Sequence, residues 1–83
     1  MYAILRRRDV SALTGKARST LYADISRGIF PPPVKLGAKS VGWVASECYA
    51  INAARVAGKS DAEIKQLVAD LVARRKDAMK EAA

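Results

Sequence analysis

The side chains of this sequence that are best suited to chemistry are cationic, and the chemistry they favour is the binding of anions. The chain has 83 residues, no histidine and one cysteine, Cys48. It contains no Cys–His pair, no glycine-rich phosphate loop and no serine or lysine in a recognisable nucleophile setting. We therefore predict that the protein is not an enzyme and that it holds no metal and no cofactor.

The excess positive charge is confined to the first two-thirds of the chain. The formal net charge is +7. Residues 1–59 contain ten lysines and arginines against three acids, whereas residues 60–83 contain five basic and five acidic residues. A basic surface binds polyanions because it neutralises phosphates and releases their counterions. The pattern favours a nucleic-acid partner for residues 1–59, and a solubilising basic surface is the alternative.

Two short helices with a turn between them are predicted near the start of the chain. Asp9 is expected at the N-cap or in the first turn of the first helix, with the basic run of residues 6–8 just before it. Gly15 is expected to end this helix, and Gly28 the second helix, since glycine favours the left-handed conformation found there. Two short helices joined by a glycine-containing turn are typical of a helix-turn-helix.

A β-hairpin is predicted after the second helix. Residues 31–33 are all proline, which excludes a helix there. Short apolar runs at residues 34–36 and 41–43 flank a turn at residues 37–40. Because an isolated hairpin is marginal in water, it must pack on the helices. Phe30 and Trp43 are the expected anchors.

Two further helices are predicted, at residues 44–57 and from Asp61 to about Lys80, the latter preceded by a capping box of Ser60 and Glu63. The last helix carries an apolar stripe: Ile64, Leu67, Val68, Leu71 and Val72. This stripe must be buried, which suggests a homodimer or side-by-side copies through residues 60–81. The alternative is that the helix folds back on its own domain.

The outer face of the second helix is the predicted contact with double-stranded DNA. Such a helix fits the major groove, which is about 12 Å wide, if its outer residues are polar, basic or small. The hairpin lysines and the N-terminal arginines would contact phosphates, although solvated surface is the alternative for the basic residues and helix packing for Tyr22. The predicted DNA-binding residues are Arg6, Arg7, Arg8, Arg18, Ser19, Thr20, Tyr22, Ala23, Arg27, Lys35 and Lys39.

The order of several motifs resembles the AlpA family of small regulators encoded by phages and genomic islands. The resemblance covers about residues 5–57 and rests on Arg8-Asp9-Val10, Leu13-Thr14-Gly15, Arg18-Ser19-Thr20-Leu21-Tyr22, Gly28, Phe30-Pro31, Pro33-Val34-Lys35-Leu36-Gly37, Val41-Gly42-Trp43 and Ser46-Glu47. It implies a mainly α fold with a small β-hairpin, the winged helix-turn-helix of MerR-like and excisionase-like proteins, followed by a C-terminal helix. The resemblance places the recognition helix at residues 18–27 and the wing at residues 34–43.

The resemblance implies a sequence-specific DNA-binding transcriptional regulator, or a recombination directionality factor that acts in the excision of a phage or genomic island. The predicted organisation is a winged helix-turn-helix DNA-binding domain at residues 1–59, with residues 60–83 forming a C-terminal helix of the same domain. No stretch reaches the roughly 20 apolar residues of a membrane span. The apolar residues at the start precede the charges, the reverse of a signal peptide. We therefore expect a cytoplasmic, nucleoid-associated bacterial protein.

The sequence departs from the AlpA pattern at several positions. Lys16 and Ala17 stand where an apolar residue and a capping serine are usual, and losing that cap costs about 1 kcal/mol. Ala23 replaces a usual basic residue, Asp24 a usual apolar one, and Ile51 a common tryptophan.

An acid that points outward from the recognition helix would repel phosphate. Ala23 and Asp24 therefore favour an alternative function, a protein-interaction module such as an antirepressor or adaptor on the same fold without specific DNA binding. A third possibility is an RNA or nonspecific polyanion binder. Single strands are disfavoured because stacking platforms need several exposed rings and the chain has only five aromatic residues.

Overall fold

The computed structural model describes residues 2–82, so Met1 and Ala83, at the outer ends of the two predicted ranges, lie outside the described residues. The fold is mainly helical with a small antiparallel sheet, in agreement with the predicted winged helix-turn-helix. The elements in chain order are β1 (Ile4–Leu5), α1 (Arg7–Thr14), α2 (Arg18–Arg27), β2 (Val34–Lys35), β3 (Val41–Val44), α3 (Ala45–Val56), α4 (Asp61–Arg74), a 3-10 turn (Arg75–Asp77) and α5 (Ala78–Ala82).

The helix-turn-helix unit ends both of its helices at the predicted glycines. Gly15 and Gly28 have φ angles of +70° and +79°, the left-handed conformation that glycine adopts without a steric penalty. The Gly15 N–H donates to the Ser11 carbonyl at 2.9 Å. The side-chain amide of Asn52 on α3 donates to the Leu13 carbonyl at 2.9 Å. The end of α1 is therefore held by its own glycine and by the neighbouring helix.

Asp9 lies in the first turn of α1, one of its two predicted positions, but the arginine run is placed differently from the prediction. The helix begins at Arg7, and its N-cap is Arg6, so Arg7 and Arg8 are helical and do not precede the helix. The reason is that Asp9 is the third helical residue, where its carboxylate accepts the Arg6 N–H at 3.3 Å. An acid at that position satisfies a backbone donor that the helix itself leaves without a partner.

The sheet has three strands where the sequence predicted a two-stranded hairpin. Their order is β1-β3-β2, and both pairings are antiparallel. Leu5 lies opposite Trp43, and Val34 lies opposite Gly42. The prediction missed β1 because its two residues carry no alternating pattern and pair with a strand almost forty residues later. The wing is therefore continuous with the N-terminal residues of the chain.

Gly42 on the central strand β3 is surrounded by Ile4, Leu5 and Leu36. A Cβ atom at this position would collide with Ile4 Cγ2 and would lie 3.0 Å from Leu36 Cδ1 and 3.2 Å from the Leu5 carbonyl oxygen. The flanking residues thus occupy the space that a side chain at position 42 would need.

The hydrophobic core is shared by the helices and the inner face of the sheet. Phe30 and Trp43 are fully buried, which confirms both predicted anchors, and Cys48 is buried beside them. Apolar burial of this kind stabilises a domain by about 25 cal/mol per Å². The buried apolar cluster consists of Val10, Leu21, Ile29, Phe30, Trp43, Cys48, Ile51, Ile64 and Val68.

The C-terminal helix α4 packs onto this core. Its predicted capping box is confirmed, since the Glu63 N–H donates to Ser60 Oγ at 3.2 Å and the Ser60 N–H donates to Glu63 Oε1 at 3.1 Å. The hydrogen bond from the Ser60 backbone lowers the pKa of the Glu63 carboxyl. Ile64 and Val68 are buried, so the apolar stripe contacts the core of its own chain. The homodimer through residues 60–81 stays a prediction, which a light-scattering mass of one chain at high concentration would reject.

The last helix is not continuous to Lys80 as predicted. α4 ends at Arg74, the 3-10 turn follows, and α5 completes the described chain. The change of geometry begins at Arg75, whose side chain reaches back to α3. Turns of 3-10 type are frequent at the ends of α-helices. The C-terminal segment therefore bends at the residue that fastens it to the rest of the domain.

Candidate nucleic-acid interface

The outward face of α2 carries five of the eleven residues predicted to contact DNA. Leu21 and Asp24 are buried, which fixes the orientation of the helix on the core. Ala23 is half-buried. The exposed predicted residues on α2 are Arg18, Ser19, Thr20, Tyr22 and Arg27. A helix with this exposed set presents basic and hydroxyl groups to solvent, and such groups bind phosphates and base edges.

Asp24, the acid on α2, does not face outward. Its carboxylate forms an ion pair with Lys16 Nζ and lies 3.8 Å from Arg27 Nη1. The Asp24 side chain is only 6% exposed. The two departures from the AlpA pattern at positions 16 and 24 are therefore partners in one buried pair. The expected repulsion between this acid and phosphate is absent, because its charge is directed inward and neutralised.

The start of α2 lacks a side-chain cap, as predicted from Ala17. The N-cap residue is Ala17, and no side chain accepts a hydrogen bond from the first turn. The Lys16–Asp24 pair crosses the same turn and links the residue before the cap to the second turn of the helix. This ion pair connects the turn to α2 at a point where no capping side chain does so.

Tyr22 connects α2 to the central strand of the sheet. Its ring centre lies 6.2 Å from that of Trp43 at an interplanar angle of 66°, an edge-to-face arrangement. The Arg18 guanidinium carbon lies 5.8 Å from the centre of the Tyr22 ring. Tyr22 is 39% exposed. It is therefore a packing residue on one side, as the alternative interpretation held, and an exposed surface residue on the other.

The two predicted wing lysines are exposed on either arm of the β2–β3 connection. Lys35 ends β2 opposite Val41, and Lys39 lies in the loop, which the Leu36 N–H closes by donating to the Ser40 carbonyl at 2.8 Å. This short closed loop places both residues at the same end of the β2–β3 pair.

The three N-terminal arginines differ in their surroundings. Arg6 and Arg8 are exposed, whereas Arg7 is half-buried and donates from Nη1 to Ser11 Oγ at 3.2 Å. Leu5, immediately before them, pairs with Trp43, the residue that Tyr22 also contacts. The backbones of β1 and β3 and the side chain of Tyr22 therefore meet at Trp43.

Most of the predicted DNA-binding cations have no acidic partner. Within residues 2–82, ion pairs involve none of the following: Arg6, Arg7, Arg8, Arg18, Lys35 and Lys39. Cations that are not neutralised inside the protein retain their full attraction for an external polyanion.

Sequence reasoning missed a second arginine-centred cluster on another part of the molecule. Arg75 donates from Nε to Glu47 Oε2 at 2.9 Å, and from Nη2 to Glu47 Oε1 at 2.5 Å and to the Pro32 carbonyl at 2.7 Å. Glu47 is buried. These hydrogen bonds to Glu47 raise the pKa of Arg75. No local signal predicts the pair, because its members are 28 residues apart.

A shallow cleft of about 260 Å³ lies beside this pair, between the N-terminal residues, the start of α3 and the C-terminal turn. Its charged groups are largely bound to one another: Glu47 binds Arg75, and Tyr2 donates a hydrogen bond to Glu81, which raises the pKa of Tyr2. The cleft is therefore lined mainly by groups that already bind one another, and it lies where separate segments of the chain pack together.

Two further kinds of site were sought among the described residues. Residues 2–82 contain no group of three or more cysteine or acidic side chains that would hold a metal ion. In the same range, no helix combines the length and the apolar character of a membrane span.

Comparisons with known proteins bear on the same part of the chain. Residues 3–50 match the family described as Prophage CP4-57 regulatory protein (AlpA). The uncharacterized protein ORF88 of Enterobacteria phage P4 is 49% identical over 55 residues, which cover 66% of this chain and 62% of ORF88. The chain thus spans less than two-thirds of that relative's length. No solved structure matches the chain. The family match includes the sheet, α1 and α2 but not α4.

Proposed function

This chain belongs to the AlpA family of prophage regulatory proteins, and we propose that it acts by binding a specific site on double-stranded DNA. In this proposal α2 lies in the major groove, and the loop between β2 and β3 lies along the neighbouring backbone. The observation that carries the proposal is the composition of the outward face of α2. It presents Arg18 and Arg27, while its acid, Asp24, is buried against Lys16.

The proposed contacts divide into two groups. Arg18, Ser19 and Thr20, at the N-terminal end of α2, would contact base edges, since the first residues of a recognition helix enter the groove most deeply. Lys35 and Lys39 on the wing would contact phosphates. The N-terminal arginines, with Arg6 and Arg8 exposed and Arg7 half-buried, would contact the backbone as well. Phosphate contacts position the protein and base contacts specify the site.

Two biological roles are consistent with this proposal, a transcriptional regulator and a recombination directionality factor. Both require a specific duplex site, so the first experiment tests that shared requirement. The position of the footprint then separates them: a site at a promoter supports the regulator, whereas a site beside a recombination attachment sequence supports the directionality factor.

The test selects a preferred duplex from a random library and then measures affinity for it and for random duplex over a range of salt concentrations. With about four to six phosphate contacts, the logarithm of the affinity falls with the logarithm of the salt concentration with a slope of about −4 to −5. We expect a preferred site that keeps its advantage over random duplex at every salt concentration. Equal affinity for all duplexes would indicate that the protein is a nonspecific polyanion binder.

Variants assign the contacts. Arg18→Ala should reduce the preference for the selected site about 5- to 100-fold, because a base contact discriminates by about 1–3 kcal/mol. Lys39→Ala should weaken binding to all duplexes and reduce the salt slope by about 1. Lys76→Ala, an equally exposed amine on the C-terminal turn, is the matched control and should change neither quantity. If Arg18→Ala and Lys39→Ala bind like the parent, the placement of α2 and the wing is wrong.

The alternative function, a protein-interaction module, is favoured by Ala23 in place of a usual basic residue and by the acid at position 24. The second of these supports is weakened, because the Asp24 carboxylate is buried against Lys16. The same titration still separates the two functions, since the absence of any DNA shift at low salt would favour the interaction module.

A further inference from the structure

The side chain of Arg18 is exposed yet lies over a fixed surface. Arg18 and Tyr22 are four residues apart on α2, so their side chains are neighbours on one helix face. The Arg18 guanidinium carbon is 5.8 Å from the centre of the Tyr22 ring. A guanidinium within about 6 Å of an aromatic ring centre is attracted by the negative face of the ring. Arg18 therefore has a preferred position before any ligand arrives.

The ring beneath Arg18 is itself immobilised. Tyr22 packs edge-to-face against Trp43, with ring centres 6.2 Å apart. Trp43 is fully buried and belongs to β3, the strand that pairs with both other strands. The rings of Tyr22 and Trp43 therefore connect Arg18 to the sheet that carries the wing.

We propose that Tyr22 is a positioning residue that holds Arg18 in its DNA-contacting orientation and sets that orientation relative to the wing. This inference rests on the proposed DNA-binding function and deepens it. An arginine side chain has several rotatable bonds, and ordering it at an interface costs conformational entropy. An arginine already held in position avoids part of that cost and presents its planar fork in one direction.

The ring of Tyr22, and not its hydroxyl, carries this role. Within residues 2–82 the Tyr22 hydroxyl takes part in no hydrogen bond, whereas the ring contacts both Arg18 and Trp43. Phenylalanine keeps the ring and leucine removes it while keeping apolar bulk. Tyr22→Phe and Tyr22→Leu therefore form a matched pair that separates positioning from a hydroxyl contact to DNA.

The measured quantity is the site preference, defined as the affinity for the selected duplex divided by that for random duplex. We expect Tyr22→Phe to match the parent and Tyr22→Leu to lose about two- to fivefold, the range of a cation–π contact at an exposed site. Arg18→Ala combined with Tyr22→Leu should lose no more preference than Arg18→Ala alone, because positioning residues act through the group that they position.

Two results would overturn the inference while leaving the proposed function intact. If the losses from Arg18→Ala and Tyr22→Leu multiply, the two residues act independently. If Tyr22→Phe loses as much preference as Tyr22→Leu, the hydroxyl contacts DNA directly. Thermal unfolding of each variant verifies that the binding measurements compare folded proteins.

A measurement on the parent without DNA tests the inference independently of DNA binding and of any variant that fails to fold. NMR relaxation of the arginine side-chain Nε–H groups should show Arg18 more ordered than Arg8, which is also exposed and serves as an internal reference. Equal mobility of Arg18 and Arg8 would overturn the positioning role. A more ordered Arg18 in a protein without site preference would support the positioning contact and overturn only the proposed function.

Discussion

Arg18 on α2 and Arg75 in the C-terminal turn show two opposite uses of the same side chain. Arg18 is exposed, pairs with no acid among the described residues and lies against the face of an aromatic ring. The Arg75 side chain is 23% exposed and donates to the buried Glu47 and to the backbone of Pro32. The first is available to an external anion, and the second neutralises an anion of the protein itself.

The same contrast extends in degree to the two regions that contain these arginines. In residues 3–50, which the AlpA family matches, six of the eight cations form no ion pair among the described residues. Near and within the C-terminal helices, Arg55 pairs with Asp61, Lys59 with Glu63 and Arg75 with Glu47, while four other cations form no ion pair there. The difference teaches that the number of basic residues does not identify a binding surface. Burial and acidic partners show which of these residues the protein already neutralises.

The largest expected effect tests whether the C-terminal region belongs to the domain. Ile64→Ala removes a fully buried side chain of α4 and should destabilise the protein by about 4 kcal/mol, through lost burial and a residual cavity. Val56→Ala, at a position that is 89% exposed, is the matched control and should change stability by less than about 0.5 kcal/mol. Urea unfolding measures both. Similar small effects would mean that α4 is not packed on the core in solution.

The next effect tests the structural arginine. Arg75→Ala leaves Glu47 buried without its partner and should destabilise the protein by about 2–4 kcal/mol, because an uncompensated buried charge is costly. Arg74→Ala, its exposed neighbour, should have an effect below about 0.5 kcal/mol. Site preference, measured where both variants are folded, should match the parent. Loss of preference in folded Arg75→Ala would break the division between the two regions.

A smaller effect concerns Cys48, which lies next to Glu47. Burial, followed by the charge of Glu47, raises the pKa of the Cys48 thiol from 9.0 to about 11. Because the folded pKa is the higher one, the unfolded chain loses this proton first. Stability should therefore be unaffected below about pH 9 and should fall between about pH 9 and 11, by at most about 2–3 kcal/mol.

Cys48→Ala removes this titration and is the comparison that isolates it. Urea midpoints measured across that pH range should decline less steeply for the variant than for the parent. Parallel curves would show that the thiol ionises equally in the folded and unfolded chains.

The smallest expected effect completes the comparison. Arg18→Ala should change the free energy of unfolding by less than about 0.5 kcal/mol, because the side chain is exposed and its contact with Tyr22 is a surface contact. Differential scanning calorimetry of this variant beside Arg75→Ala should place the two arginines at opposite ends of the stability scale. A destabilisation equal to that of Arg75→Ala would make Arg18 structural.

The sequence predicted those parts of the fold that depend on neighbours within one helical turn. Gly15 and Gly28 end their helices, and Ser60 and Glu63 form their capping box, because each signal requires only a local conformation or a contact three residues away.

Most features that sequence reasoning missed join residues that are not neighbours in the sequence; the exception is the start of α1, where Asp9 accepts the Arg6 N–H. β1 forms only because β3 offers it backbone partners, and nothing in Ile4 and Leu5 alone indicates a strand. The inward direction of Asp24 depends on Lys16, eight residues earlier. From residue type alone, the charges of Lys16 and Asp24 are expected to be solvated, because the hydropathy of a single residue does not show whether it has a partner.

Gly42 restricts which sequences this fold can reach. An added methyl group at position 42 collides with Ile4, so an enlargement there is tolerated only after position 4 has become smaller. The Leu5 carbonyl oxygen near the same point belongs to the backbone, so no substitution removes it. A larger residue at position 42 is therefore restricted even when position 4 is smaller. Positions 4 and 42 should therefore change together and in a fixed order as the lineage diverges, linking the drift of the wing to that of the N-terminal strand.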